Sequence, residues 1–176
     1  ETQLAYTLAG ATTSNSTSLV WTTSGTGSFS DATILNPDYL PSAADIAAGS
    51  VTLSLTAFAI APCADATNSM VLVISRQAVV NAGNDTTICE TELTFPVTTA
   101  TAIYATSLLW TSSGTGTFNN PAIINPVYTP SAADIASGNV ILTLTATSTS
   151  PCVNAVDQFT LNFTSQATAN AGADDI

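Results

Sequence analysis

The sequence predicts an all-β protein made of two tandem β-sandwich domains, and three observations carry that expectation. The first is an internal repeat. Leu19-Val-Trp-Thr-Thr-Ser-Gly-Thr-Gly-Ser-Phe29 returns as Leu108-Leu-Trp-Thr-Ser-Ser-Gly-Thr-Gly-Thr-Phe118. Asn36-Pro-Asp-Tyr-Leu-Pro-Ser-Ala-Ala-Asp-Ile-Ala-Ala-Gly49 returns as Asn125-Pro-Val-Tyr-Thr-Pro-Ser-Ala-Ala-Asp-Ile-Ala-Ser-Gly138. Each pair lies 89 positions apart, and a unit of about 90 residues suits two packed antiparallel sheets. The second observation is strict alternation of apolar and polar residues, the period of a half-buried strand. The third is a composition that is 45% hydrophobic but only 7% charged, enough apolar surface to build a core rather than remain disordered.

Comparing the two copies chooses the buried face of each strand. Leu4, Tyr6 and Leu8 align with Leu93, Phe95 and Val97, an expected inward stripe. Trp21 and Trp110 are the expected core aromatics, each on a strand ending at Ser-Gly-Thr-Gly. Val51, Leu53, Leu55 and Ala57 alternate inward, as do Val140, Leu142, Leu144 and Ala146. Met70 to Ile74 is apolar throughout, but its counterpart resolves it: Phe159, Leu161 and Phe163 align with Met70, Leu72 and Ile74, which therefore face the core. Pro96 falls on the outward side of a predicted strand, where it removes a ladder hydrogen bond unless the strand is bulged or at an edge. The helical signal is Pro41 to Gly49, with Ser42 as cap, Asp45 in the capping-box position and Gly49 as a left-handed stop. It predicts a one-turn helix joining strands of opposite sheets.

The repeat also sets domain limits. Gln77 to Ile88 reads as the first strand of the second domain, with no flexible spacer before it. The expected organisation is residues 1–76 as a first repeat lacking its first strand, 77–165 as a complete second repeat, and 166–176 as the start of another. Glu1 is not an initiator Met, so the chain reads as a processed product or an excised piece of a longer array. The cysteines follow the same logic. Cys63 and Cys152 are equivalent, whereas the equivalent of Cys89 is the position before Glu1. One disulfide per repeat is therefore expected, with Cys89–Cys152 intact and Cys63 separated from its partner. Three buried thiols or a Cys63–Cys152 bridge are the alternatives.

Charge excludes several functions. Arg76 is the single basic side chain, there is no Lys or His, and twelve acidic residues give a net charge of −11. Nucleic-acid binding needs cations to neutralise phosphates. His acting as a base, a Schiff-base lysine, His-ligated zinc and a Lys–Asn isopeptide crosslink all lack their residues. The longest apolar run, Met70 to Ile74, is too short to span a bilayer in this segment.

Among candidate sites, Ser-Gly-Thr-Gly at 24–27 and 113–116 resembles a phosphate cradle, but no Lys follows and no helix opens there, so a flexible hairpin or strand-end turn is the expectation. Asn81 and Asp85, with Asn84, are the oxygens available for Ca²⁺, as are Asp174 and Asp175. Calcium draws six to eight oxygen ligands and no Asp-rich calcium loop is present. Solvated loop residues are the plainer reading, so no cofactor is expected. Paired acids for glycoside hydrolysis are not indicated, because the repeated acid, Asp45/Asp134, has the capping role. The chain is expected not to be an enzyme.

Asn-Ala-Gly-Asn-Asp-Thr-Thr-Ile-Cys-Glu at 81–90 resembles the opening of PKD-like, immunoglobulin-like repeats. The Trp-Thr-Thr-Ser-Gly-Thr-Gly and Asn-Pro-x-Tyr-x-Pro-Ser-Ala-Ala-Asp-Ile-Ala-x-Gly blocks resemble tandem repeats of very large Bacteroidota cell-surface proteins, typically exported by type IX secretion and including gliding-motility adhesins of the SprB type. The resemblance covers essentially the whole chain. It implies an extracellular, semi-rigid stalk on a bacterial surface, with neighbouring repeats and an unidentified surface or polysaccharide as partners, and it carries no catalytic residues. Asp85-Thr86-Thr87 also resembles the sequence these bacteria use for O-glycosylation, which places a glycan on Thr86. Two other functions compete: a carbohydrate-binding module with Trp21 or Trp110 as platform, and a self-assembling fibre subunit whose termini complement one another between chains.

Overall fold

The computed structural model describes residues 5–172. It divides into two compact units, Glu1–Arg76 and Gln77–Ile176. Both are all-β sandwiches with one short helix.

In the first unit the strands are β1 (Tyr6–Thr7), β2 (Ser16–Thr23), β3 (Ser28–Phe29), β4 (Asp38–Leu40), β5 (Ser50–Ala59) and β6 (Ala66–Val73), with α1 (Ala43–Ala48) between β4 and β5. One sheet runs β2-β5-β6 and the other β1-β4-β3, all pairs antiparallel. The predicted alternation is realised: Val51, Leu53 and Leu55 pack with Leu8, Trp21 and Tyr39 in one core. The α1 helix does join the two sheets. Its capping box is complete, with Ser42 accepting from the Asp45 N–H and Asp45 accepting from the Ser42 N–H, and Gly49 stops it at φ 78°. That conformation is nearly free for glycine and costs about 1 kcal/mol for a residue with a Cβ.

The second unit adds β7 (Val79–Asn81), β8 (Thr86–Cys89), β9 (Phe95–Pro96), β10 (Thr101–Ile103), β11 (Ser107–Ser112), β12 (Thr117–Phe118), β13 (Val127–Thr129), α2 (Ala132–Ser137), β14 (Asn139–Thr147) and β15 (Ala155–Thr164). Its large sheet is β11-β14-β15-β8, and β12-β13-β9 and the β10-β7 pair complete it. Val140, Leu142, Leu144, Phe159 and Leu161 form the core with Trp110 and Tyr128. Each such buried side chain contributes roughly 1.5–3 kcal/mol relative to exposure. Pro96 sits in β9, an edge strand, where its missing N–H is tolerated.

Three expectations need correction. Gln77 to Ile88 is not one strand. It is β7 paired antiparallel with β10, and then β8 paired parallel with β15. The break is Asn81-Ala-Gly83, where the Asn81 side chain accepts from the Gly83 N–H and Gly83 takes φ 110°. Second, the stripe through Leu93 and Tyr6 does not face inward: Leu93 is 75% exposed and Tyr6 is also exposed, whereas Leu8 and Val97 are buried. The strand here is two residues long and begins at Phe95, because Glu92 N–H closes a turn on the Cys89 carbonyl. Leu4 lies outside the described residues.

The third correction concerns the disulfide. No Cys–Cys bond forms among the described residues. Cys89 pairs with Thr164 at the end of β15, whereas Cys152 precedes the start of that ten-residue strand. At about 3.3 Å per residue the strand separates the two by roughly 30 Å, while a disulfide requires Cα atoms within about 7 Å. Parallel pairing of β8 is the physical reason: it carries Cys89 away from the hairpin that holds Cys152. Of the alternatives, three buried thiols fails as well, since Cys63 is exposed.

Candidate functional site

The chemistry shared by both repeats converges on one buried carboxylate per unit. Asp45 and Asp134 are almost fully buried. Asp45 Oδ1 accepts from the Thr26 N–H at 3.0 Å. Its Oδ2 accepts from the Gly27 N–H at 2.9 Å, the Tyr39 hydroxyl at 2.8 Å and the Ser42 N–H at 3.0 Å. In the second unit Asp134 Oδ1 accepts from the Thr115 N–H at 2.9 Å. There Oδ2 accepts from Gly116 N–H at 2.9 Å, Tyr128 hydroxyl at 2.7 Å and Ser131 N–H at 2.9 Å. Thr26 and Ser42 hydroxyls, and Thr115 and Ser131 hydroxyls, close the ring around each acid.

The Ser-Gly-Thr-Gly turn is thus an anion cradle whose anion is the protein's own. It is the strand-end turn expected, following β2 and β11, and it delivers two successive backbone N–H groups to the carboxylate. A Cβ at Gly25 would overlap the Asp45 carboxyl, and one at Gly114 the Asp134 carboxyl. That close approach, rather than an unusual φ, is what requires glycine there.

Burial by itself pushes these carboxyls up, because it penalises the charged form. For Asp45 the Ser42 N–H, Tyr39 hydroxyl, Thr26 N–H and Ser42 hydroxyl more than offset it, and hold the group at about 2. Asp134 is lowered to about 2 by the corresponding Ser131, Tyr128 and Thr115 groups, again against burial. Tyr128 moves the opposite way, pushed up to about 12 by burial and by donation to Asp134, while Ser112 and the Gly116 N–H oppose the shift. The acids are therefore ionised across the ordinary pH range, with both oxygens occupied.

The other singled-out residues are not brought together. Asn81 Oδ1 holds the Gly83 N–H, and Asp85 Oδ1 holds the Thr160 N–H at 2.7 Å, so each is engaged in shaping the entry to β8. Among the described residues no three His, Cys, Asp or Glu side chains cluster to hold a metal. Asp174 and Asp175 lie outside the described residues. Thr86 is half-buried in β8, with its hydroxyl donating to the Asn84 carbonyl at 3.0 Å. Thr91 donates to the Cys89 sulfur, which lowers that thiol below its ordinary value. Trp21 and Trp110 are 6% and 2% exposed. Each packs edgewise or tilted on neighbouring rings, Trp21 on Phe29 and Trp110 on Phe118 and Phe159. Neither presents a flat face to a sugar.

Sequence reasoning found Asp45 and Asp134 as caps but missed Tyr39, Tyr128 and the turn amides. The signal was present: these residues sit in the two blocks that recur with least change.

No model of a known protein family matches the chain, and no curated protein matches it. Solved structures do. The chain is similar to human Protocadherin-24 EC1-2 (13% identity, TM-score 0.41, covering 84% of this chain and 82% of that one). It is also similar to the protocadherin gammaB7 EC3-6 cis-dimer structure (13% identity, TM-score 0.44, covering 84% of this chain and 39% of that one). Likeness at this level carries no inference about activity or partners; the all-β assignment stands on the strands and cores described above. Among the described residues no helix is long and apolar enough to cross a membrane.

Proposed function

We propose that this chain is a structural repeat module of a long extracellular adhesin, set on a bacterial cell surface and of the gliding-motility, type IX-exported kind. The observation that supports the reading best is that the residues common to both repeats are turned inward. The carboxylate, tyrosine, turn amides and tryptophan of each repeat serve its own fold, which is what a module selected for being copied requires. A second observation agrees with it. In the second unit the chain enters beside the β14–β15 hairpin, where Ala78 N–H donates to Ser148 Oγ, and leaves at Thr164, the far end of β15. Entry and exit at opposite ends let such units be joined in series. The adhesive contact then belongs to other parts of the parent protein, and catalysis and a bound cofactor are not part of the reading. A glycan on Thr86 is included in the proposal, and it requires the Thr86 hydroxyl to release the Asn84 carbonyl.

The test is a series of arrays of two, four and eight repeats, measured by small-angle scattering and applied to a panel of polysaccharides. A structural module adds a constant increment to the maximum dimension per repeat and binds no glycan. Saturable binding of a polysaccharide by the two-repeat chain would replace this reading with the carbohydrate-binding one, and concentration-dependent fibres would replace it with self-assembly. Intact mass of protein from its native host checks Thr86: no added sugar mass removes the glycan.

A further inference from the structure

The outer faces of the two long sheets carry a pattern that neither the cores nor the helix caps require. In the first unit Val51, Leu53 and Leu55 point into the core, so Thr52, Ser54 and Thr56 of β5 point outward. The strand register sets Thr22 and Ser69 on either side of Ser54, and Thr67 beside Thr56. Hydroxyls meet across the strands: Ser54 Oγ lies 2.8 Å from Ser69 Oγ, and Thr56 Oγ1 lies 3.0 Å from Thr67 Oγ1. In the second unit Thr143 and Thr145 take the places of Ser54 and Thr56, Thr111 flanks Thr143, and Ser107 Oγ donates to Thr147 Oγ1 at 2.9 Å. Equivalent positions in both repeats therefore present ranks of hydroxyls, several of them held by one another.

Two properties of these faces narrow what they can meet. The first is charge. The chain holds twelve acidic residues and one arginine, yet none of those described occupies an outward position of β2, β5, β6, β11, β14 or β15. Asp45 and Asp134 are buried, and Asp85, at the margin of the second face, is turned onto the Thr160 N–H. A solvated face ordinarily carries charge. These carry Thr, Ser and single apolar side chains such as Val71, Leu109 and Val156, which are 62%, 50% and 61% exposed. The second property is spacing. Neighbouring strands lie about 4.8 Å apart and alternate residues of one strand about 6.8 Å apart, so the hydroxyls and methyls repeat in two dimensions. A charged ligand finds no counter-charge here. A sugar ring finds no aromatic plane, since Phe58 pairs with Ser18 at one end of the first face and the second face has no aromatic among the described residues. The complement is a neutral, periodic, hydrogen-bonding surface. Ice is such a surface, and the water oxygens of its prism planes repeat at spacings close to these.

We propose that the outward faces of the β2-β5-β6 and β11-β14-β15 sheets bind ice. The hydroxyl ranks hold a layer of bridging water, at low cost in order because strand pairing already fixes the partners. The methyl and apolar groups between the ranks bring no competing charge to hydrate, so that layer can merge with the lattice it resembles. Each unit acts by itself, and joining units in series strengthens the attachment by raising the effective concentration of the next face. The proposal goes beyond the stalk reading and does not rest on it.

The probe is ice itself. The full chain in dilute buffer is partitioned against a slowly growing ice hemisphere, with recrystallisation of a fine-grained ice wafer as a second readout. Expected are enrichment in the ice fraction relative to serum albumin and arrest of grain growth. Thr22→Lys with Thr111→Lys places one ammonium on each face, on edge strands where lysine is tolerated. Pressing that charge against a lattice strips its water, which is costly, so enrichment should fall about tenfold or more. Ser28→Lys with Thr117→Lys makes the same change of charge at exposed, equivalent positions of the opposite sheets and should leave enrichment unchanged. Tryptophan fluorescence and the thermal midpoint report the fold of each variant. Exclusion of the chain from ice to the extent of albumin, or equal loss in the two pairs, would overturn the proposal. So would binding to crystalline cellulose or chitin that the first pair abolishes, without enrichment in ice, which assigns the faces to polysaccharide instead.

Discussion

Replacing Asp134 with Asn tests the central claim about the second unit, because the substitution keeps shape and removes charge. An amide has one acceptor oxygen. With that oxygen placed where Oδ2 accepts from Gly116, Tyr128 and Ser131, the NH₂ group faces the Thr115 N–H, which loses its partner. A buried donor left unsatisfied costs about 1–3 kcal/mol, and each of the three retained bonds loses about 1 kcal/mol of charge assistance. Relief of the carboxylate's desolvation offsets part of this, leaving a net loss of about 3–5 kcal/mol, in line with breaking other buried charged networks. For a domain stable by about 5–15 kcal/mol that is a large share. The pH dependence gives a second signature. The carboxyl lies at about 2 in the folded unit against an ordinary value of 3.8. A depressed value means stability fully present above the unfolded pKa and lost as pH falls from about 3.8 through about 2, an amount near 2 kcal/mol. Urea unfolding read by hydrogen exchange resolves the two units, so Asp45 in the first serves as the internal reference. A loss below 1 kcal/mol in the second unit, or an unchanged acid slope there, would refute the reasoning.

Other consequences can be checked on the same preparation. Gly114→Ala drives a Cβ into the Asp134 carboxyl and should cost more than 2 kcal/mol in thermal unfolding, whereas Gly138→Ala, with open space at φ 82°, should cost about 1 kcal/mol. Leu142→Ala empties a completely buried position and should cost about 2–5 kcal/mol, while Leu93→Ala, on an exposed turn, should stay within about 0.5 kcal/mol by denaturant midpoint. Reducing agent should leave the midpoint of the second unit unchanged, and peptide mapping without reduction should yield no Cys89–Cys152 pair.

What the sequence made legible was what repetition and period encode. Comparing Phe159-Thr-Leu-Asn-Phe163 with the uniformly apolar Met70 to Ile74 assigned faces that neither segment assigns alone, and the structure buries Phe159 and Leu161 while exposing Val71 and Val73. Capping chemistry was equally readable, because Ser42, Asp45 and Gly49 act within eight consecutive residues of chain. Interactions over longer separations were not readable. Tyr128 and Asp134 are six residues apart, but Thr115 and Asp134 are nineteen apart, and nothing in either local sequence states that a turn amide and a helix cap meet. The same limit produced the mistaken disulfide. Spacing of Cys89 and Cys152 is compatible with a bridge, and only the parallel sense of β8 on β15 shows that they lie at opposite ends of a strand.

That parallel pairing has a mechanical consequence. Tension applied between Gln77 and Thr164 draws β8 and β15 past one another along their length, so the bonds joining Thr86–Cys89 to Leu161–Thr164 are loaded together. Antiparallel pairing at this place would put both pulled ends at the same edge, and the bonds would break one at a time. The second unit therefore carries a shear clamp, four residues long, that shares Ile88 with the core. Mutations in Trp110 or Leu142 would change how readily it unfolds at rest, mutations in Thr86 or Thr87 how much force it bears, and mutations in Ile88 both.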